Sequence, residues 1–113
     1  MNVLICEDNV IIALELEMTI EAMGHAVSGH VTRSDDCVAQ CEANPPDLVI
    51  VDLDLDDGPT GAALTKTLAD MGIPSVIVSG QTGTLRPEDH AALRVIGKPA
   101  DAAELKAALD AYA

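Results

Sequence analysis

The chain has 113 residues, which is enough for one hydrophobic core and too few for two domains. It is 49% apolar with a single aromatic residue, so the core must be built from aliphatic side chains. A formal net charge of −13 argues against binding to nucleic acid. There is no apolar run long enough for a membrane span and no basic leader typical of a signal peptide, so we expect a cytosolic protein.

Short β-type runs alternate with helical segments along the chain. We predict strands at “NVLIC”, “HAVSG”, “DLVIVD”, “IPSVIVSG” and “RVIG”. The third and fourth runs are apolar without interruption, which is typical of strands buried on both faces of a parallel sheet. Helices are predicted over residues 10–23, 61–71 and 101–112. A further helix is predicted to begin at an N-cap, Ser34 or Asp35, and to end at about residue 43.

This alternation predicts one α/β domain over residues 1–113, with an open, doubly wound, five-stranded parallel sheet. The segment between Ser79 and Val95 departs from the pattern, because it carries Gly, Thr and Pro where a fourth helix is expected. At most a short helix begins near Pro87, a residue suited to a first helical turn. The fourth helix is therefore predicted to be short or absent.

Two sets of helix residues are assigned to the interior. Ile11, Leu14, Met18 and Met23 are among the apolar residues that recur at helical spacing in the first helix, and its methionine and leucine positions are predicted to be core. Cys37 and Cys41 lie four residues apart on the second helix, and the odd total of three cysteines fits reduced thiols. We expect these cysteines to be small buried or half-buried residues rather than metal ligands.

Polar side chains follow four of the predicted strands, at the edge where a parallel sheet binds ligands. Glu7 and Asp8 follow the first strand, Asp52 the third, Ser79 the fourth and Lys98 the fifth. Clustered carboxylates bind Mg²⁺ through oxygen, and a carboxylate can attack phosphorus to give an aspartyl phosphate. A metal, an ammonium group and a hydroxyl would stabilise the charge of the transferring phosphoryl group. The set predicts Mg²⁺-assisted phosphoryl chemistry.

The motifs “VLICEDN”, “PDLVIVDLDL”, “IPSVIVSG” and “VIGKPADAAEL” resemble the receiver domains of bacterial two-component response regulators, over essentially the whole chain. The resemblance implies a flavodoxin-like fold in which Asp52 is phosphorylated. Asp8 would be a direct Mg²⁺ ligand, and Glu7 would act on the metal through water. The backbone carbonyl of Asp54 would supply a further ligand.

The same resemblance implies roles at the other two strand ends. Ser79 would hydrogen-bond a phosphoryl oxygen, and Lys98 would pair with Asp52 or its phosphate. The phosphoryl donor would be a histidine kinase or a histidine phosphotransfer protein. The output would be a conformational switch that binds an unidentified partner protein, or a phosphate sink. Such a domain is not an enzyme with turnover, since it catalyses only its own phosphorylation and dephosphorylation.

The sequence departs from the usual receiver pattern at several points, including the weak fourth helix and a loop to Gly61 that is one residue longer than is common. Val95 stands where receivers carry an aromatic switch residue, and Asp56 stands where a proline follows the phosphoacceptor. “PSVIVSGQTG” is similar in Pro74, Ser79 and Gly80 to the signature of the FATGUY receivers, a group that also lacks the aromatic residue. The departures leave the phosphorylation chemistry intact but argue against the usual aromatic output mechanism.

Two alternatives to a phosphorylated receiver remain open at this stage. In a phosphatase of the haloacid dehalogenase type, Asp52 would be the nucleophile and Asp54 the proton donor, and “VDLD” fits that motif. The upstream acids Glu7 and Asp8 favour the receiver interpretation. A binding module of receiver shape that is never phosphorylated is the other alternative.

The remaining conspicuous polar residues are predicted to lie outside the site. Asp56 and Asp57 are interpreted as hydrated loop acids beside a turn. His25, His30 and His90 share no spacing and are interpreted as solvated or packed imidazoles.

Overall fold

The structure is a computed structural model that describes residues 1–80, 83 and 85–112. Its strands are β1 (Asn2–Cys6), β2 (Ala26–Val31), β3 (Leu48–Val51), β4 (Ser75–Ser79) and β5 (Arg94–Gly97). Its helices are α1 (Val10–Ala22), α2 (Ser34–Ala43), α3 (Gly61–Asp70) and α4 (Ala102–Asp110). In this part of the chain, no helix is long and apolar enough to cross a bilayer.

The strands form one five-stranded sheet in the order β2–β1–β3–β4–β5, and every neighbouring pair is parallel. Helices α1 and α4 pack on one face, and α2 and α3 pack on the other. Strands β3 and β4 are buried along their whole length, which explains their unbroken apolar runs. The predicted doubly wound α/β fold is confirmed.

The prediction that the methionine and leucine positions of the first helix are core is right for Leu16 and, in part, for Met23, which is half-buried against the core. It is wrong for Leu14 and Met18, which lie on the outer face together with Ile11. These side chains are between 54% and 70% exposed, as is that of Val10 at 65%. The residues of α1 that pack on the sheet are Ala13, Leu16 and Ile20. Helix α1 is apolar on both its inner and its outer face, so helical spacing alone could not decide which face is buried.

Among the described residues between β4 and β5 there is no α-helix, in line with the prediction, and Pro87–Asp89 forms a 3₁₀ turn. The part of the prediction that falls on Gln81, Thr82 and Thr84 lies outside the described residues. The buried Thr65 hydroxyl of α3 accepts a hydrogen bond from Ala91 N at 3.0 Å and so ties the following loop to the domain. Val95 of β5 is 36% exposed.

Helix α2 receives its cap from a different loop, and this corrects two predictions. The capping residue is Arg33, not Ser34 or Asp35, and its own side chain makes no capping hydrogen bond. Instead the Asp57 carboxylate accepts bonds from Ser34 N at 3.0 Å, from Ser34 Oγ at 2.5 Å and from Thr60 Oγ1 at 2.9 Å. These hydrogen bonds, those from Ser34 first, hold the pKa of Asp57 well below its usual range. Asp57 is a structural cap rather than a hydrated loop acid.

Helix α4 is capped within its own sequence. Asp101 accepts hydrogen bonds from Ala103 N at 2.7 Å and Glu104 N at 3.2 Å, so the helix proper begins one residue later than predicted. At the end of α1, Gly24 has a φ of 91°, a value that favours glycine, and it ends the helix. The three cysteines are buried free thiols, also as predicted.

Candidate functional site

Backbone hydrogen bonds hold the ends of four strands at one edge of the sheet. Asp52 N donates to Cys6 O at 2.9 Å, which places the residue after β3 beside the end of β1. Lys98 N donates to Ser79 O at 3.0 Å and aligns the ends of β5 and β4 in the same way. The parallel ladder therefore brings Glu7, Asp52 and Lys98 to one edge, although they lie far apart in sequence.

Three carboxylates meet at this edge. One oxygen from each of Glu7, Asp8 and Asp52 lies within 4.8 Å of the other two. Glu7 is 2% exposed and Asp52 is 6% exposed, whereas Asp8 faces the solvent. A cluster of hard oxygen donors with one exposed member fits Mg²⁺, which takes one or two carboxylates and fills its other positions with water or phosphate oxygen. The residues present could thus hold such an ion.

Lys98 bridges the two buried carboxylates. Its Nζ lies 2.9 Å from Glu7 Oε2 and 3.1 Å from Asp52 Oδ2, and its side chain is only 19% exposed. Both bonds are charge-assisted, and they fix the ammonium group next to Asp52. With all three carboxylates ionised, one ammonium leaves the cluster with an excess of negative charge, which also favours a divalent cation.

Burial and pairing shift the pKa values of Glu7 and Lys98. Burial raises the pKa of Glu7 from 4.5 to about 7, and repulsion from Asp52 adds to this, while the bonds from Lys98 and from Asn9 N oppose it. For Lys98, burial alone would lower the pKa, but the hydrogen bonds to Glu7 and Asp52 outweigh it and raise the pKa above its usual value. Pairing therefore maintains the charge of Lys98, whereas the loss of hydration dominates at Glu7.

Ser79 and Asp54 occupy different positions relative to the cluster. Ser79 is buried at the end of β4, in register with Gly97 and next to the Lys98 strand end. The Asp54 side chain is exposed and is not part of the carboxylate cluster. A role for Asp54 through its backbone carbonyl stays a prediction.

The first residue of α3, Gly61, packs closely against the backbone of Asp52 and Leu53. Gly61 N donates to Leu53 O at 3.0 Å, and a Cβ at Gly61 would overlap the carbonyl oxygen of Asp52 and lie 2.6 Å from Leu53 Cα. Only glycine permits this approach, so Gly61 helps to define the position of the Asp52–Leu53 peptide.

One contact next to the site, made by His30, was not predicted from the sequence. The imidazole of His30 places Nε2 2.7 Å from the backbone oxygen of Glu7. His25 and His90 instead contact the amino group of Met1 and the backbone N of Ala92. Because His30 and Glu7 are separated by 23 positions, no local motif could have indicated their contact.

Comparison with known proteins agrees with this geometry. The family model of the response regulator receiver domain matches residues 3–110. The chain therefore belongs to the response regulator receiver domain family, which confirms the resemblance seen in its motifs.

Individual relatives support the same assignment. A receiver domain (CheY-like) from Methylobacillus flagellatus is 27% identical with a TM-score of 0.85, covering 99% of this chain and 98% of its own. The PhyR receiver domain of Erythrobacter litoralis shares the fold at 22% identity, with a TM-score of 0.87 and coverages of 98% and 88%. The phyllosphere-induced regulator PhyR of Methylorubrum extorquens is 32% identical over 80 residues, which are 69% of this chain. The match spans only 30% of the length of that curated relative.

Proposed function

We propose that this chain is a phosphoacceptor whose Asp52 receives a phosphoryl group from a phosphohistidine on a histidine kinase or a histidine phosphotransfer protein. The observation that carries the proposal is the Lys98 ammonium bound to both Glu7 and Asp52 inside a cluster of three carboxylates. Family membership supports signalling as the role, and Mg²⁺ is the cofactor that suits the oxygen donors.

The transfer step uses groups that already lie side by side. An oxygen of Asp52 attacks phosphorus, the new P–O bond forms as the P–N bond to the donor imidazole breaks, and the electron pair leaves with that imidazole. Lys98, 3.1 Å from Asp52, neutralises charge on the phosphoryl oxygens, and Ser79 donates its hydroxyl to one of them.

Three acids and one carbonyl would hold Mg²⁺ beside this step. Asp8 and Asp52 would bind it directly, the backbone carbonyl of Asp54 would add a ligand, and Glu7 would act through water. When bound, the ion neutralises charge that builds up on the phosphoryl oxygens. The role of Glu7 is also to hold Lys98, because it contacts that ammonium at 2.9 Å.

The structure disfavours the phosphatase alternative on one observation. A haloacid dehalogenase-type mechanism would need Asp54 as a proton donor next to Asp52, but the Asp54 side chain is exposed and outside the cluster. The acids that accompany Asp52 are Glu7 and Asp8. We therefore propose a domain that catalyses only its own phosphorylation and dephosphorylation, in the cytoplasm, with a partner protein or a phosphate sink as its output.

The outer face of α1 is proposed as the docking surface for the phosphohistidine donor. Its exposed apolar residues Val10, Ile11, Leu14 and Met18 begin two residues after Asp8, next to the site. Acidic side chains of the same helix, including Glu21, border this surface, and the chain carries a net charge of −13. A second copy of this chain would be repelled, whereas a donor with an apolar centre and a basic rim is complementary.

Leu14→Asp tests this surface, because the side chain is 54% exposed and the substitution should leave the fold intact. We expect transfer from a protein phosphodonor to slow by at least about tenfold, with beryllofluoride binding unchanged, since buried apolar contacts are worth one to several kcal/mol each. Leu93→Asp, at a 44% exposed leucine before β5, is the matched control and should transfer at the wild-type rate. Equal slowing in both variants would contradict the assignment of the surface.

The proposed phosphoacceptor is tested with beryllofluoride and Mg²⁺, which together mimic an aspartyl phosphate. We expect wild type to bind the complex and Asp52→Asn to lose binding entirely, because the amide cannot supply the anionic oxygen. Asp54→Asn is the matched control: its carbonyl is kept and its exposed side chain is dispensable, so it should bind like wild type. Titration calorimetry measures all three. The proposal fails if wild type does not bind or if Asp52→Asn binds equally well.

A further inference from the structure

A histidine outside the receiver motifs holds the turn that carries two of the site acids. His30 is half-buried near the end of β2, where it pairs in register with Ile5 of β1. Its ring reaches past the end of β1, so that Nε2 lies 2.7 Å from Glu7 O. The amide of the same residue, Glu7 N, donates to Val31 O at 3.0 Å. Both backbone polar groups of Glu7 are thus tied to the end of β2.

The direction of the His30 bond follows from chemistry. A carbonyl oxygen only accepts hydrogen bonds, so Nε2 must carry the proton and donate it. The bond is short and partly buried, and it is therefore electrostatically stronger than a solvent-exposed hydrogen bond. An imidazole with a proton on Nε2 is therefore required at this position.

The carbonyl that accepts this bond belongs to the peptide group joining Glu7 to Asp8. Fixing that group fixes the N and Cα atoms of Asp8, so its carboxylate can then move only through the φ torsion and the side-chain torsions of Asp8. On the other side, the Asn9 side chain caps α1 by accepting from Ile11 N at 3.0 Å. The connection from β1 to α1 is thus anchored at both ends, which explains how the exposed Asp8 lies within 4.8 Å of Glu7 and Asp52.

We propose that His30 is a positioning residue for the metal site: its Nε2–H fixes the Glu7–Asp8 peptide so that the Asp8 carboxylate faces Asp52. The inference rests on the proposed Mg²⁺ site but adds a residue that the receiver motifs do not contain. Groups that orient metal ligands from outside the coordination shell commonly change metal affinity by tenfold or more.

The test compares variants that differ in the hydrogen-bond donor. His30→Leu keeps apolar volume without a donor, and His30→Gln keeps a side-chain N–H. We expect His30→Leu to weaken Mg²⁺ binding about tenfold, and His30→Gln to restore most of the affinity. His25→Leu, at the half-buried histidine that contacts Met1, is the matched control and should bind Mg²⁺ like wild type. Calorimetric titration with Mg²⁺ alone gives the affinities.

Urea unfolding without Mg²⁺ separates positioning from stability. A histidine with only a structural role would lower the unfolding midpoint and leave the Mg²⁺ affinity of the folded protein unchanged, and that result overturns the inference. If His30→Leu does not fold, His30→Asn, whose shorter amide is expected to fall short of the Glu7 carbonyl, takes its place with the same expectation. Wild type that binds no Mg²⁺ overturns the proposed function as well. Wild type that binds, with variants of equal affinity, overturns only the role of His30.

Discussion

Gly61→Ala is expected to destabilise the domain by about 3 kcal/mol, the upper end of the range for overpacked sites. The added methyl group would overlap the carbonyl oxygen of Asp52 and lie 2.6 Å from Leu53 Cα, and both are backbone atoms that cannot rotate away. Either α3 or the Asp52–Leu53 peptide must move. Because that peptide positions the phosphoacceptor, beryllofluoride binding should also weaken by at least about tenfold, a loss comparable to 1.4 kcal/mol. Urea unfolding and calorimetry measure the two effects.

Gly97→Ala is the matched control for this substitution. An added Cβ at Gly97 would meet no heavy atom within 4 Å among the described residues. We expect a change of unfolding free energy within about 0.5 kcal/mol, as for other surface sites. Gly61→Ala with the stability and the ligand affinity of wild type would contradict the close approach of α3 to Asp52.

The second large effect is a pH dependence of stability that comes from Glu7. Burial raises its pKa in the folded protein from 4.5 to about 7, so between these values the folded state holds a proton that the unfolded state has lost. The stabilisation is complete below pH 4.5 and is lost as pH rises through about 7. Metal-free wild type should therefore lose up to about 3 kcal/mol of stability between pH 5 and 8 through this one group.

Glu7→Gln removes the titrating group and keeps its shape. In buffer with a metal chelator, we expect the variant to match wild type near pH 5 and to exceed its unfolding free energy by up to about 3 kcal/mol at pH 8. Glu21→Gln changes an exposed acid on α1 and should follow the wild-type curve at every pH. The hydrogen bonds that lower the pKa of Asp57 also stabilise the fold, and that stabilisation is lost only in acid below the interval from pH 5 to 8. Parallel curves for wild type and Glu7→Gln would refute the raised pKa of Glu7 in the folded protein.

Most of the fold could be predicted because each strand corresponds to a short apolar run in the sequence. The unbroken apolar runs of β3 and β4 indicate a sheet covered on both faces, and the polar residues after four of the strands indicate the edge of the candidate site. The weak helix before β5 was also visible, because glycine, threonine and proline occupy that segment. The site residues then follow from the rule that parallel strands present their carboxyl ends together.

The errors arose where a contact joins distant positions or where a pattern is ambiguous. Helix α1 carries apolar residues on two faces, and only the neighbouring elements decide that Leu16 is inside and Leu14 outside. The Asp57 cap on α2 joins positions 23 apart, as does the bond from His30 to Glu7. In the last two cases a side chain hydrogen-bonds to the backbone of a segment distant in sequence. Such contacts depend on tertiary structure and leave no mark in local spacing.

The central claim, that Asp52 is a phosphoacceptor, is tested most directly by intact mass spectrometry after incubation with phosphoramidate and Mg²⁺. A small phosphodonor removes the need for a particular kinase. The account predicts that wild type gains one phosphoryl group, located on Asp52 by fragmentation, and that Asp52→Asn gains none. Wild type that stays unmodified, or an equal gain in Asp52→Asn, would contradict it.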